Sequence, residues 1–127
     1  MTLDVISRPK VSKVDDLVPS RYALQIGELD VLVISDGVLP LPTETMATNV
    51  DPQVRAAWLE SMFLPPDAFD WPLNVLVVRS GEQIILVDAG LGGQFPGFPR
   101  AGLLPKRLAA AGIELEAVTD VVLTHMH

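Results

Sequence analysis

Short apolar runs separated by turn residues fill the first part of this sequence. Residues 22–26 and 29–35 are rich in β-forming side chains, and Gly27-Glu28 between them fits a two-residue turn that begins with glycine. These features predict a β-hairpin whose second strand ends at Asp36-Gly37.

A loop and then a helix are predicted next. VLPLPTETMATNV is predicted to be a loop, because Pro40 and Pro42 lack the backbone donors that a central strand requires. Asp51 as N-cap and Pro52 at the first helical position then start a helix, which Pro65-Pro66 stop. The apolar residues of this helix fall on one face at helical spacing: Val54, Ala57, Trp58 and Met62. The aromatic-rich segment FLPPDAFDWPL follows and is predicted to be a loop.

The second half of the sequence contains two continuous apolar runs, without the alternation of apolar and polar residues that marks a half-buried strand. NVLVV and QIILVDAG, joined by RSGE, are typical of strands that are buried on both faces. Residues 103–111 are predicted to form a short helix that stops at Gly112. A turn over residues 114–119 and a strand over residues 120–124 complete a layered α/β or α+β domain.

Length and composition indicate one domain with more apolar surface than it can cover by itself. The chain has 127 residues, of which 49% are hydrophobic and 20% charged, and its mean hydropathy is +0.36. No apolar stretch approaches the roughly 20 residues of a membrane-spanning helix. We therefore expect sequence outside this chain to cover part of the apolar surface. Residues 1–20 are predicted to be an N-terminal arm, which could pack on a neighbouring subunit, and residues 21–127 the domain itself.

Charge and cysteine content exclude several classes of function. The formal net charge of −7 argues against a nucleic-acid partner, which would require a basic face. The absence of cysteine excludes disulfides, a thiolate nucleophile and a cysteine-type zinc site. MTLDVISRPK lacks the apolar core of a signal peptide, so we expect a cytoplasmic protein without a membrane partner.

The only two histidines of the chain, His125 and His127, follow the last predicted strand. Side chains alternate across a strand, so in extended geometry both imidazoles point the same way and can reach one metal ion. By itself this His-x-His pair is a weak signal, and two histidines do not complete the set of about four ligands that zinc requires.

The wider pattern resembles the metallo-β-lactamase superfamily. A strand pair that ends in Asp88-Ala89-Gly90, then a helix, then VTDVVLTHMH is similar to the amino-terminal half of that fold, whose motif is Thr-His-x-His-x-Asp-His. Residues 124–127 of the chain match the first four positions of this motif. The resemblance as a whole spans residues 22–127. ISDGVLPLP and the aromatic loop most resemble the methyl parathion hydrolase and acyl-homoserine lactonase branch. The expected fold is therefore α+β, the amino-terminal half of an αββα sandwich.

The resemblance implies roles for individual residues. His125 and His127 would be two of the three histidine ligands of the first ion in a two-metal site, with zinc expected and manganese, iron or cobalt as alternatives. Asp88 would orient these ligands by accepting hydrogen bonds, although a turn aspartate at a strand end is the alternative. Three aromatic residues could form an apolar lip for an acyl or aryl group, although core packing is expected for at least two of them: Phe63, Phe69 and Trp71.

Two further features have structural interpretations. Asp36 is expected to be structural, with a position at the border of the site as the alternative. Gly90, Gly92 and Gly93 do not have the spacing of a phosphate-binding loop, and they are expected to let the backbone turn tightly.

The implied activity is metal-dependent hydrolysis. In the complete protein a metal-bridging hydroxide would attack a lactone ester or a phosphotriester. Alternatives are another branch of the fold, namely a glyoxalase II-like thioesterase, a β-lactamase or a diiron redox protein, or a non-catalytic binding module that dimerises through an exposed sheet. We expect the 127-residue chain alone to be inactive, and the missing carboxy-terminal half or another chain to complete the fold.

Overall fold

The structure is a computed structural model, and it describes residues 19–127. The strands are β1 (Arg21–Ile26), β2 (Leu29–Pro42), β3 (Ala68–Ser80), β4 (Gln83–Val87) and β5 (Asp120–Val122). The helices are α1 (Pro52–Ser61) and α2 (Leu104–Ala110), with single 3-10 turns at Thr43–Thr45 and Leu115–Ala117. Apart from Pro19 and Ser20, the predicted N-terminal arm lies outside the described residues.

The five strands form one mixed sheet in the order β1-β2-β3-β4-β5. Neighbouring strands are antiparallel except for β4 and β5, which are parallel and are joined by a crossover that contains α2. The predicted α+β class is confirmed. Within residues 19–127, no helix is long and apolar enough to cross a membrane.

The predicted hairpin is present as β1 and β2. Ile26 pairs with Leu29, which leaves Gly27 and Glu28 as a two-residue turn. Gly27 has a φ of +60° while Glu28 does not have a positive φ, as in the hairpin turn that places glycine first.

The predicted end of the second strand is wrong, because β2 continues to Pro42 through an irregularity between Ser35 and Gly37. The two prolines are tolerated because β2 is an edge strand there. β1 pairs only as far as Ile34, and the backbone N–H of Val38 points away from β3 towards the carbonyl of Arg100. By alternation, Pro40 and Pro42 also turn their missing donors to the open side.

The predicted aromatic loop is also wrong in part, because Ala68 already begins β3. Phe69 pairs with Leu41 and Trp71 with Leu39, so both aromatic residues lie in a strand. Pro72 fits in β3 for the same reason as the prolines of β2. β4 reaches only to the partner of Leu76, and beyond that point β3 is an edge strand.

Helix α1 starts as predicted but buries a different face. Asp51 caps it by accepting the N–H of Gln53 at 2.8 Å, with Pro52 in the first turn. Leu59 is its buried residue, whereas Val54 and Trp58 are exposed. The apolar spacing predicted the helix correctly, but the face that carries Val54 and Trp58 is exposed to solvent.

The core lies on one side of the sheet, beneath α2. It consists of buried side chains from three strands, from α2 and from the residues just after it: Ile34, Val75, Val77, Leu86, Leu104, Leu108 and Ile113. Gly112, with a φ of +77°, ends α2 as predicted. On the other side of the sheet Tyr22, Leu24 and Ile26 are exposed, so the described residues cover only one face.

A fully buried carboxylate connects the sheet to α2. Asp36 accepts the N–H groups of Leu91 at 2.8 Å, Gly102 at 3.2 Å and Leu104 at 2.9 Å. Its carbonyl oxygen accepts the N–H of Leu103 at 3.0 Å. Both ends of the segment between β4 and α2 are thereby fixed to β2, and an N–H of the first turn of α2 is satisfied. The structural role predicted for Asp36 is confirmed.

Replacement of Asp36 by asparagine should destabilise the protein. The asparagine NH₂ group would turn a donor towards backbone donors, so the variant should lose about 1–3 kcal/mol of unfolding free energy, measured by urea denaturation of the complete protein. Asp30→Asn is the matched control, because Asp30 lies on the same strand, is half exposed, and pairs with Arg79 only at 3.6 Å. The control should change stability by less than about 0.5 kcal/mol. Equal stability of the two variants would contradict the role of Asp36.

Candidate metal centre

The predicted site residues meet where β4 and β5 end. Val87 pairs with Val122 in parallel register, so the residues that follow the two strands leave the sheet side by side. Asp88 comes directly after β4, and Thr124 and His125 come shortly after β5. Carboxyl ends of neighbouring parallel strands are the usual location of sites in layered folds.

Asp88 joins the two strand ends. Its N–H donates to the carbonyl of Val122 at 2.7 Å, and its φ is +68°, a conformation that aspartate tolerates better than most residues. Its carboxylate accepts the N–H of Thr124 at 2.9 Å and the hydroxyl of Thr124 at 2.7 Å. Asp88 therefore contacts the residue before the histidines rather than a histidine ring.

These hydrogen bonds stabilise the ionised form of Asp88. The backbone N–H of Thr124, followed by its hydroxyl, holds the pKa of Asp88 below the ordinary value of an aspartate. Desolvation opposes this shift, and the nearby His125 adds a smaller electrostatic contribution in the same direction as Thr124. Asp88 is an anion that can only accept hydrogen bonds at neutral pH.

The structure brings the two histidines together. The ring centroids of His125 and His127 are 4.9 Å apart, with the rings edge to face at 75°. Both side chains are exposed, and the Nδ1 atom of His125 lies 2.8 Å from the hydroxyl oxygen of Thr124. The Nε2 atom of His125 is on the opposite side of the ring from this contact.

The described residues supply two candidate metal ligands, His125 and His127. Within residues 19–127, no group of three or more His, Cys, Asp or Glu side chains could hold a metal ion. The donor chemistry of the pair nevertheless fits a divalent transition metal, since imidazole suits zinc, copper, iron and nickel.

Two of the three aromatic candidates, Phe69 and Trp71, lie on a two-stranded arm at the same end of the sheet. The second half of β2 and the first half of β3 pair with each other beyond the point where β4 stops. On this arm, Phe69 and Trp71 pack together with ring centroids 5.7 Å apart. Phe63 lies apart from the strands, directly after α1, and is 98% exposed.

The expected core packing of at least two of these aromatic residues is wrong for the described chain. Phe63 is fully exposed, Trp71 is 42% exposed, and Phe69 is only partly buried. The sequence analysis placed all three in a loop, whereas Phe69 and Trp71 lie on an extended two-stranded arm.

The tight turn expected at the glycines after Asp88 is present at Gly90 and Gly92, which have positive φ angles, whereas Gly93 does not. Gly90 has a φ of +74°, and a Cβ atom there would lie 2.6 Å from an oxygen of Asp36. The carboxylate of Asp36 can therefore lie this close to the turn after β4 only because residue 90 has no Cβ atom.

Thr124 is the residue that sequence reasoning missed. It contacts both Asp88 and His125, although its role in the sequence pattern was only to precede the histidines. The available signal was a hydroxyl side chain immediately before His-x-His, but one residue of spacing does not reveal which groups the hydroxyl reaches.

Comparison with known proteins agrees with this arrangement. Residues 68–127 match the sequence model described as the metallo-beta-lactamase superfamily. This range contains Asp88, Thr124 and both histidines. No curated protein is similar enough to the chain to count as a match.

Two solved structures share the fold. AidC, a dizinc quorum-quenching lactonase in complex with a product N-hexnoyl-L-homoserine, has 27% sequence identity and a TM-score of 0.76, over 85% of this chain and 36% of that chain. The hydrolase AbOPH, in the beta lactamase superfamily, has 22% identity and a TM-score of 0.71, over 87% of this chain and 37% of that chain. This chain thus spans a little over one third of the length of either structure. The resemblance predicted from the sequence is confirmed: the chain has part of the metallo-β-lactamase fold and matches the superfamily in sequence over residues 68–127.

Proposed function

We propose that the complete protein is a metal-dependent hydrolase that acts on lactone esters, with phosphotriesters as the alternative substrate class. The observation that carries this proposal is the pair His125 and His127, which lie together after β5 in the part of the chain that matches the superfamily. The lactonase AidC, at 27% identity, favours the ester over the phosphotriester.

His125 and His127 would hold one of two divalent ions. Zinc is proposed because AidC is a dizinc enzyme, with manganese, iron or cobalt as alternatives. When bound, the ions would polarise the substrate carbonyl and lower the pKa of water so that hydrolysis proceeds near neutral pH. The remaining ligands would come from outside the described residues, in the complete protein or in a second chain.

The residues of this chain would orient the site and shape its entrance. Asp88 fixes the end of β4 to that of β5 through Val122 and Thr124, which sets where the histidines leave the sheet. The ring pair Phe69 and Trp71 offers an apolar wall at the same end of the sheet, where an acyl chain could pack. Phe63, after α1, is exposed and free to contact substrate.

Loss of either histidine should remove metal and activity together. In the complete protein, His125→Ala and His127→Ala should each lower the bound metal below the expected two ions per molecule, measured by elemental analysis. Lactone hydrolysis should fall by at least about a hundredfold, because the ions supply most of the charge stabilisation.

Met126→Ala is the matched control for this experiment. Met126 lies between the two histidines and its side chain is 86% exposed, so its removal should leave metal content and hydrolysis unchanged. A complete protein that binds no divalent metal, or one whose lactone hydrolysis survives removal of metal by a chelator, would overturn the proposed function. A folded, metal-free protein that dimerises would favour the non-catalytic binding module.

The aromatic pair should control preference for acyl-chain length. Trp71→Ala should lower kcat/KM for N-hexanoyl homoserine lactone by about tenfold, mainly through KM, and should have a smaller effect on the N-butanoyl compound, which buries less apolar area. Trp58→Ala is the control, because Trp58 is an exposed tryptophan on α1 rather than on the arm. An unchanged ratio of the two substrates in Trp71→Ala would exclude Trp71 from the acyl site.

A further inference from the structure

Thr124 occupies the position between a carboxylate and a candidate metal ligand. Its backbone N–H donates to one carboxylate oxygen of Asp88 at 2.9 Å. Its hydroxyl oxygen lies 2.7 Å from the other carboxylate oxygen and 2.8 Å from Nδ1 of His125. One hydroxyl group is thus shared by two partners, Asp88 and His125, which make no hydrogen bond to each other.

The hydroxyl has a single proton, so it can be the donor in only one of its two hydrogen bonds. A threonine hydroxyl has one proton to donate and lone pairs with which to accept. Ionised Asp88 has no proton, so a 2.7 Å contact with it is favourable only if the hydroxyl donates to the carboxylate. The hydroxyl proton is then unavailable to His125, and the contact at 2.8 Å requires the imidazole Nδ1 to carry the proton.

The opposite arrangement is unfavourable. If the hydroxyl donated to Nδ1 of His125, its oxygen lone pairs would face the carboxylate of Asp88 at 2.7 Å with no proton between them. Two acceptors at that distance repel, and the carboxylate would lose a charge-assisted hydrogen bond.

We propose that Thr124 is a positioning residue through which Asp88 acts on His125, an arrangement that we call the relay. Because the Thr124 hydroxyl donates to Asp88, the His125 proton is held on Nδ1 and Nε2 is left as the metal-binding atom. The tautomer follows from hydrogen bonds within this chain, whereas its use in metal binding rests on the proposed function. The relay gives Asp88 an effect on a histidine that it does not touch. It also gives the threonine of the Thr-His-x-His sequence a role beyond that of preceding the histidines.

The second histidine provides an internal comparison. In the part of the chain that the structure describes, the ring of His127 contacts His125 edge to face but makes no hydrogen bond. Neither nitrogen of His127 is therefore held by Thr124, and its tautomer should be independent of the Thr124 hydroxyl. A change at Thr124 should affect one histidine and not the other.

The tautomer can be read directly, without metal and without an activity assay. In metal-free complete protein with ¹⁵N-labelled histidine, at a pH where the imidazoles are neutral, a long-range ¹H–¹⁵N spectrum distinguishes the protonated nitrogen from the bare one. The His125 signals are assigned by their loss in His125→Gln. Wild-type protein should show the proton on Nδ1 of His125.

Two variants of Thr124 test the relay. Thr124→Val keeps the shape and the backbone N–H but removes the hydroxyl, and His125 should shift to a mixture of tautomers while His127 does not change. Thr124→Ser restores the hydroxyl and should restore the wild-type pattern. Asp88→Asn should also release His125, because asparagine can donate to the threonine oxygen and free the hydroxyl proton.

The zinc affinities of the same proteins complete the test. Thr124→Val should bind zinc about 10- to 100-fold more weakly than wild type, the usual effect of losing a partner that orients a ligand, and Thr124→Ser should bind like wild type.

Distinct results overturn the relay and the proposed function. A proton on Nε2 of His125 in the wild type, or an unchanged His125 tautomer in folded Thr124→Val, would overturn the relay. If Thr124→Val does not fold, the wild-type tautomer and its loss in Asp88→Asn decide the question. A wild type with the expected tautomer that binds no zinc would support the relay and overturn the proposed function.

Discussion

The buried carboxylate of Asp36 is the interaction on which much of the described chain depends. A carboxylate without water must replace its hydration with hydrogen bonds, and Asp36 obtains them from Leu91, Gly102 and Leu104. These three residues belong to the segment from the end of β4 to the start of α2. A single side chain on β2 therefore fixes where the chain leaves the sheet and where the helix that covers the core begins.

Asp88 has a similar function on a smaller scale. It lies three residues before Leu91, and it uses its carboxylate to fix Thr124 at the end of the neighbouring strand. The position of the histidines thus depends on two carboxylates in succession, one buried and one at the surface. Since both act on backbone N–H groups, they place the main chain first, and the positions of the histidine side chains follow from it.

Local signals allowed several elements to be predicted from the sequence. The N-cap Asp51 and the turn glycine Gly27 act through hydrogen bonds or φ angles within a few residues, so their effects do not depend on the rest of the fold. The strand before His125 was predicted from its position after the turn, although it ends at Val122 rather than at residue 124. Local signals were insufficient for the two-stranded arm of β2 and β3, where prolines led to the prediction of loops. Prolines exclude a strand only where both of its edges are paired.

The sequence by itself determined the order of the elements and singled out the two histidines, because residue type and spacing along the chain are sufficient for these features. The pattern left α/β and α+β open, and the α+β expectation came from the resemblance to a known family. Only the tertiary structure decided which surfaces are buried and which polar groups meet. Trp71 lies in a strand because it pairs with Leu39, and the contact of Thr124 with Asp88 joins residues 36 positions apart. Such contacts arise from the pairing of segments that lie far apart in the sequence, and a local pattern does not show which segments will pair.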